Sequence, residues 1–131
     1  MIFDKLNAHF VAQGEKPAPK TNLNGIQFYT KSFDPGKGYY ELHVESAELF
    51  GNFVFMFYLT DETDGEIVLP SEEDAHHDWK PEFQHMVDTL PVHFVEKTIS
   101  VLPKRNRVVC MRVRAPNYVN KCSDRRMCIN G

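Results

Sequence analysis

The stretch Phe53-Val54-Phe55-Met56-Phe57-Tyr58-Leu59 is apolar on both faces of an extended chain, because Phe53, Phe55, Phe57 and Leu59 alternate with Val54, Met56 and Tyr58. A strand with one face in water alternates apolar with polar residues. This stretch therefore predicts a central strand, covered by helix on one side and by closed sheet or helix on the other. Its length is far below that of a membrane span. Downstream, Thr63-Asp64-Gly65 carries hairpin-turn chemistry, and Glu66–Leu69 reads as a short returning strand that Pro70 stops.

Upstream, Gly25–Asp34 alternates Ile26, Phe28 and Thr30 with Gln27, Tyr29 and Lys31, and Asp34-Pro35-Gly36-Lys37-Gly38 is a turn. Tyr39–Leu49 then alternates Tyr40, Leu42 and Val44 with Glu41, His43 and Glu45, so the two segments predict a hairpin with one wet face. Earlier still, Ile2, Phe3, Leu6 and Phe10 share one helical face over Ile2–Gln13, and Gly14 stands where a C-terminal cap belongs. Pro17 and Pro19 make residues 15–24 a stiff connector.

Beyond Pro70, Ser71 and Asp74 have capping-box spacing. Pro81 suits the first turn of a helix over residues 81–90, whose stripe is Phe83, Met86, Val87 and Leu90. Val92–Leu102 and Val108–Arg114 read as a second hairpin around Pro103-Lys104-Arg105-Asn106-Arg107, with Val109, Met111 and Val113 on its apolar side. Residues 116–131 read as a basic, polar and mostly irregular tail. Trp79, Phe28, Phe53, Phe55 and Phe57 are assigned to the core.

These elements predict an α+β protein: an antiparallel five- to six-stranded sheet or a small OB-like barrel. An N-terminal helix and one helix at about 81–90, between the third and fourth strands and the last two, complete it. At 131 residues the chain fits a single domain, with residues 1–14 as helix, 15–24 as connector, 25–115 as body and 116–131 as tail. Three cysteines are an odd number and give no disulfide framework, although Cys122 and Cys128 are spaced to bridge. Acidic Asp4 stands where a secretory signal would be basic, so a cytoplasmic protein is expected, with no membrane partner.

Charge is sorted along the chain. Residues 1–95 hold 6 Lys and Arg against 16 Asp and Glu, a net of −10, and residues 96–131 hold 9 against 2, a net of +7. Such sorting suggests two poles of opposite potential. Lys97, Lys104, Arg105, Arg107, Arg112 and Arg114 fall on the second hairpin, and Lys121, Arg125 and Arg126 follow in the tail. Alternation sets Arg112 and Arg114 on one face about 7 Å apart, near the spacing of successive phosphates. With Tyr118, and with Tyr29, Tyr39 or Tyr40, these residues outline a groove for single-stranded nucleic acid. On the competing reading the arginines pair internally with Glu41, Glu45 and Glu48.

Asp61, Glu62, Asp64, Glu66, Glu72, Glu73, Asp74 and Asp78 form an acidic segment. It suits either a basic protein target, by imitating nucleic-acid phosphates or binding an arginine-rich partner, or simple solvation. Thr60-x-Glu62-x-Asp64-Gly65 echoes a calcium loop, but Thr at its first position and Ser71 at its twelfth exclude one. His76, His77 and His85 are the metal candidates, with Asp74, Asp78 or His93 as further ligands, although no metal-site spacing is present. They carry the remaining enzymatic alternative, a metal-dependent hydrolase. No serine lies in a nucleophile elbow, Cys110 has no positioned base, and adjacent Glu72 and Glu73 point apart. The chain thus reads as a non-enzymatic binding protein without cofactor, for single-stranded nucleic acid. The alternative is an inhibitor or adaptor acting through residues 61–78, and self-association stays open.

Overall fold

The computed structural model describes residues 2–14, 29–33, 39–45, 53–76 and 80–130. Helix α1 spans Ile2–Ala12; strands β1 to β4 are Tyr29–Phe33, Tyr40–His43, Phe53–Tyr58 and Ile67–Leu69. Helices α2 (Glu72–Ala75) and α3 (Pro81–Thr89) follow, and then strands β5 to β8 at Ile99–Val101, Val108–Arg112, Asn117–Val119 and Arg126–Asn130. The expected connector 15–24, the Asp34–Gly38 turn, Phe28, Glu48, His77, Asp78 and Trp79 lie outside the described residues.

The strands form two four-stranded antiparallel sheets, in the orders β1-β8-β3-β6 and β2-β7-β4-β5. This is the strand order of a double-sheet jelly roll. As its composition predicts, β3 is central, between β8 and β6. Val54, Met56 and Tyr58 turn to the core and are buried, while Phe53, Phe55 and Phe57 on the other face are half-buried. The core between the sheets gathers Val54, Met56, Ile67, Leu69, Met111, Ala115 and Val119, with Val95, Val101 and Val109 packed against it.

Local signals hold where they are strongest. Gly14 ends α1 at φ 85°, and its N–H donates to Val11 O at 3.0 Å. Ser71 Oγ accepts from Asp74 N, but the helix it caps is the four-residue α2. Pro81 opens α3, which buries Phe83 edge-on to Phe94 at 6.4 Å and half-buries Met86 and Val87.

Three expected hairpins are replaced by crossings between the sheets. β1 pairs with β8 and β2 with β7; β3 pairs with β6 and β8, and β4 with β5 and β7. Turn residues mark where the chain reverses, but not whether the next strand joins the same sheet or the facing one. The single five- to six-stranded sheet is accordingly replaced by two sheets of four. The tail is not irregular either: β7 and β8 lie inside the two sheets, each with a strand on both sides.

Gly65 shows how tightly the crossings are packed. It adopts φ +74°, and a Cβ there would lie 2.7 Å from Cys122 Cβ. Gly65→Ala is expected to lower stability by about 2–4 kcal/mol, combining overpacking with left-handed strain. Gly14→Ala, at φ +85° but with nothing within 4 Å, should cost only about 1 kcal/mol. Denaturant midpoints of the two variants measure the difference.

Candidate functional site

Because successive strands run in opposite directions, the β3–β4, β5–β6 and β7–β8 loops meet at one end of the sandwich. The β4–β5 and β6–β7 connections lie at the other. The first end is stitched by hydrogen bonds between segments far apart in sequence. Arg105 N donates to Asp61 Oδ1 at 2.8 Å, and Glu62 N donates to Pro103 O at 3.0 Å. Ser123 donates to Asp64 twice, from N at 2.8 Å and from Oγ. Asn120 Nδ2 donates to Glu66 Oε1 at 2.8 Å.

Acidic and basic segments therefore abut, and the two separate poles expected from the charge pattern do not form at this end. The acidic segment is also divided: Asp61, Glu62, Asp64 and Glu66 belong to the loop end, whereas Glu72, Glu73 and Asp74 lie on α2 at the opposite end. Asp74 accepts a hydrogen bond there from Thr98 Oγ1. The two hydrogen bonds from Ser123 hold the Asp64 carboxyl below its ordinary value of 3.8.

The basic candidates separate in the same way. Lys104, Arg105, Arg107, Lys121 and Arg125 all lie at the loop end, exposed except half-buried Arg107, whose Nη1 donates to Leu102 O at 2.8 Å. Lys97, Arg112 and Arg114 lie at the opposite end. Arg112 and Arg114 do not continue one strand face, because β6 stops at Arg112 and a turn follows, with Ala115 N donating to Arg112 O at 3.0 Å. Arg112 Nη2 donates to Gln13 Oε1 at 3.0 Å, which ties the end of α1 to the sheet. Tyr118 is half-buried in the middle of β7. Glu41 and Glu45 accept from Lys80 and His43.

Arg126 is the clearest departure from a surface role. It is 2% exposed and sits on the core face of β8, donating from Nη1 to Gly65 O at 3.0 Å. Beside it Tyr58 is fully buried, and burial pushes its phenol up to about 12 despite the nearby Arg126 cation. The strand pattern was present in the sequence, since Met127 and Ile129 alternate with Arg126 and Cys128, but an arginine on the buried face concealed it.

Sequence reasoning missed two local pairings. Lys121 Nζ stands 5.2 Å over the Tyr39 ring, a cation–π contact, because β2 and β7 are neighbours. His43 Nδ1 lies 2.6 Å from Glu41 O and Nε2 lies 3.0 Å from Glu45 Oε1.

His76 and His85 are exposed on separate helical segments. Among the described residues no group of three or more His, Cys, Asp or Glu is arranged to hold a metal. All three cysteines are free thiols. Burial pushes Cys110 and Cys122 up to about 11. No helix among the described residues is long and apolar enough to cross a membrane.

No protein-family model matches the chain, and no curated protein matches it. Among solved structures it is similar to a cupin domain from Bordetella pertussis Tohama I, at 12% identity and a TM-score of 0.43, over 79% of this chain and 75% of that one.

Two measurements check this geometry. Ser123→Ala should raise the Asp64 titration midpoint toward 3.8, followed by carboxyl chemical shifts. Because the folded value is the lower one, the stability linked to Asp64 is present above 3.8 and is lost as pH falls through its folded midpoint. Cys110 and Cys122 should react with a disulfide reagent at pH 8 more slowly than an ordinary thiol, since the thiolate is the reactive form and burial limits access to it.

Proposed function

We propose that this chain is a small binding protein that takes single-stranded nucleic acid at the loop end of its sandwich. One observation carries the reading: Lys104, Arg105, Arg107, Lys121 and Arg125, from two loops distant in sequence, share one end with two aromatic rings. Tyr39 is 49% and Tyr40 38% exposed there. Phosphate contacts by the cations would supply affinity, and the tyrosine rings would stack bases without selecting among them.

The surface differs from the hairpin groove that the sequence alone suggests. Arg112 and Arg114 belong to the far end, and buried Arg126 is excluded as a contact. Asp61 and Asp64 stand among the cations, but their oxygens accept from Arg105 N and Ser123. Those bonds turn the carboxylates to holding the loops together, although their charge still tempers attraction to a polyanion. The acidic alternative, an inhibitor contacting a basic protein through residues 61–78, is less well supported because its carboxylates are split between the two ends.

Fluorescence anisotropy of labelled single-stranded and duplex oligonucleotides, at two salt concentrations, tests the proposal. Binding should favour single strands and weaken with salt. Arg105→Glu with Lys121→Glu should reduce affinity about tenfold or more and flatten the salt slope by about 0.7 per lost contact. Arg112→Glu with Arg114→Glu should have a much smaller effect. An absence of binding at low salt, or an equal loss from the far-end pair, would overturn the assignment.

A further inference from the structure

We infer that two copies of this chain associate through the free edge of β5, extending the β2-β7-β4-β5 sheet across a twofold axis. Among the described residues β5 is the last strand of that sheet and pairs with β4 alone, in the register Ile67 to Val101, Val68 to Ser100 and Leu69 to Ile99. Ile67 and Leu69 are core residues, so Ile99 and Val101 face the core as well. Ile99 is nevertheless 47% exposed, and Leu102 next to the strand is 41% exposed. Val108, on the adjoining edge strand of the facing sheet, is 43% exposed.

On this side core-facing Ile99 meets water, beside exposed Leu102 and Val108, the latter on the outer face of its strand opposite Phe57. Ile99 and Ser100 are exposed, and among the described residues no strand pairs with the outer edge of β5. An uncovered edge offers unpaired N–H and C=O groups to another strand. A second copy offers the same edge and the same apolar lip, and its approach would satisfy both together.

Charge fixes which register that copy takes. In an antiparallel pair the twofold axis passes through a residue and its own copy, so the pairing is centred on one residue. Centred on Ser100, Ile99 faces Val101 of the second copy, and exposed Glu96, in the bend before β5, comes to the same end of the pairing as the second copy's exposed Lys104 beyond Pro103, a contact that symmetry makes twice. Centring on Val101 instead would set Lys97 against Arg105, a like-charge pair. The segment flanking β5 thus selects one self-pairing and disfavours its neighbour.

Sedimentation equilibrium of the full chain from about 1 to about 100 μM tests the inference. A dimer is expected in this range. Ile99→Lys should render it monomeric with an unchanged circular dichroism spectrum. Glu96→Lys and Lys104→Glu should each weaken association roughly tenfold, and the double variant E96K/K104E should restore it, because the swapped charges attract again. A monomer at the highest concentration would overturn the inference, as would a dimer indifferent to these substitutions. Should Ile99→Lys unfold the chain, the charge swap decides alone: failure of the double variant to recover association refutes the register.

Discussion

Both sheets depend on strands that the chain supplies last. β8 lies between β1 and β3, and β7 lies between β2 and β4. Each is hydrogen-bonded on both edges, so without them β1 and β2 have no ladder partner among the described residues. Tyr58 and Arg126 are buried at this junction, and Cys128 sits opposite Tyr58 in register. The Tyr58 hydroxyl has no hydrogen-bond partner among the described residues, which costs about 1–3 kcal/mol that the surrounding packing must offset. Contacts joining residues near 30 to residues near 130 also carry a large loop-closure entropy, so such a fold forms late and as a whole.

This interleaving also decides the surface. Except for β4 and β5, which are neighbours in one sheet, consecutive strands alternate between the sheets, and their connections alternate between the two ends. Loop 59–66, from the acidic part of the sequence, is thereby brought against 103–107 and 120–125, from the basic part. Charge sorted in one dimension becomes mixed in three: Asp61 holds the backbone of Arg105, and Asp64 holds Ser123. Exposed Lys104, Arg105, Lys121 and Arg125 thereby stand at the same end as the exposed Tyr39 and Tyr40 at the start of β2.

What could be read from the sequence follows the range of the signal. β3 was legible because seven consecutive apolar residues have only one consistent placement, and α3 because Pro81 and its apolar stripe agree. Both signals are local. The strand pairings were not legible: Thr63-Asp64-Gly65 and Pro103–Arg107 reverse the chain, but the reversal leads into the opposite sheet. β7 was hidden because Asn117-Tyr118-Val119 is short and follows a proline, and β8 because Arg126 occupies a position where apolar periodicity is expected. The charged residues of the candidate site were visible one by one, whereas their grouping is a property of topology.

Native-state hydrogen exchange of the backbone amides tests most directly whether the C-terminal segment is the interior of both sheets. The paired amides of Asn117–Val119 and Arg126–Asn130 should exchange as slowly as those of Val54–Tyr58, through the same global opening. Rapid exchange across 117–130 beside a protected β3 would contradict the account, because the segment would then be a tail laid on a fold complete without it.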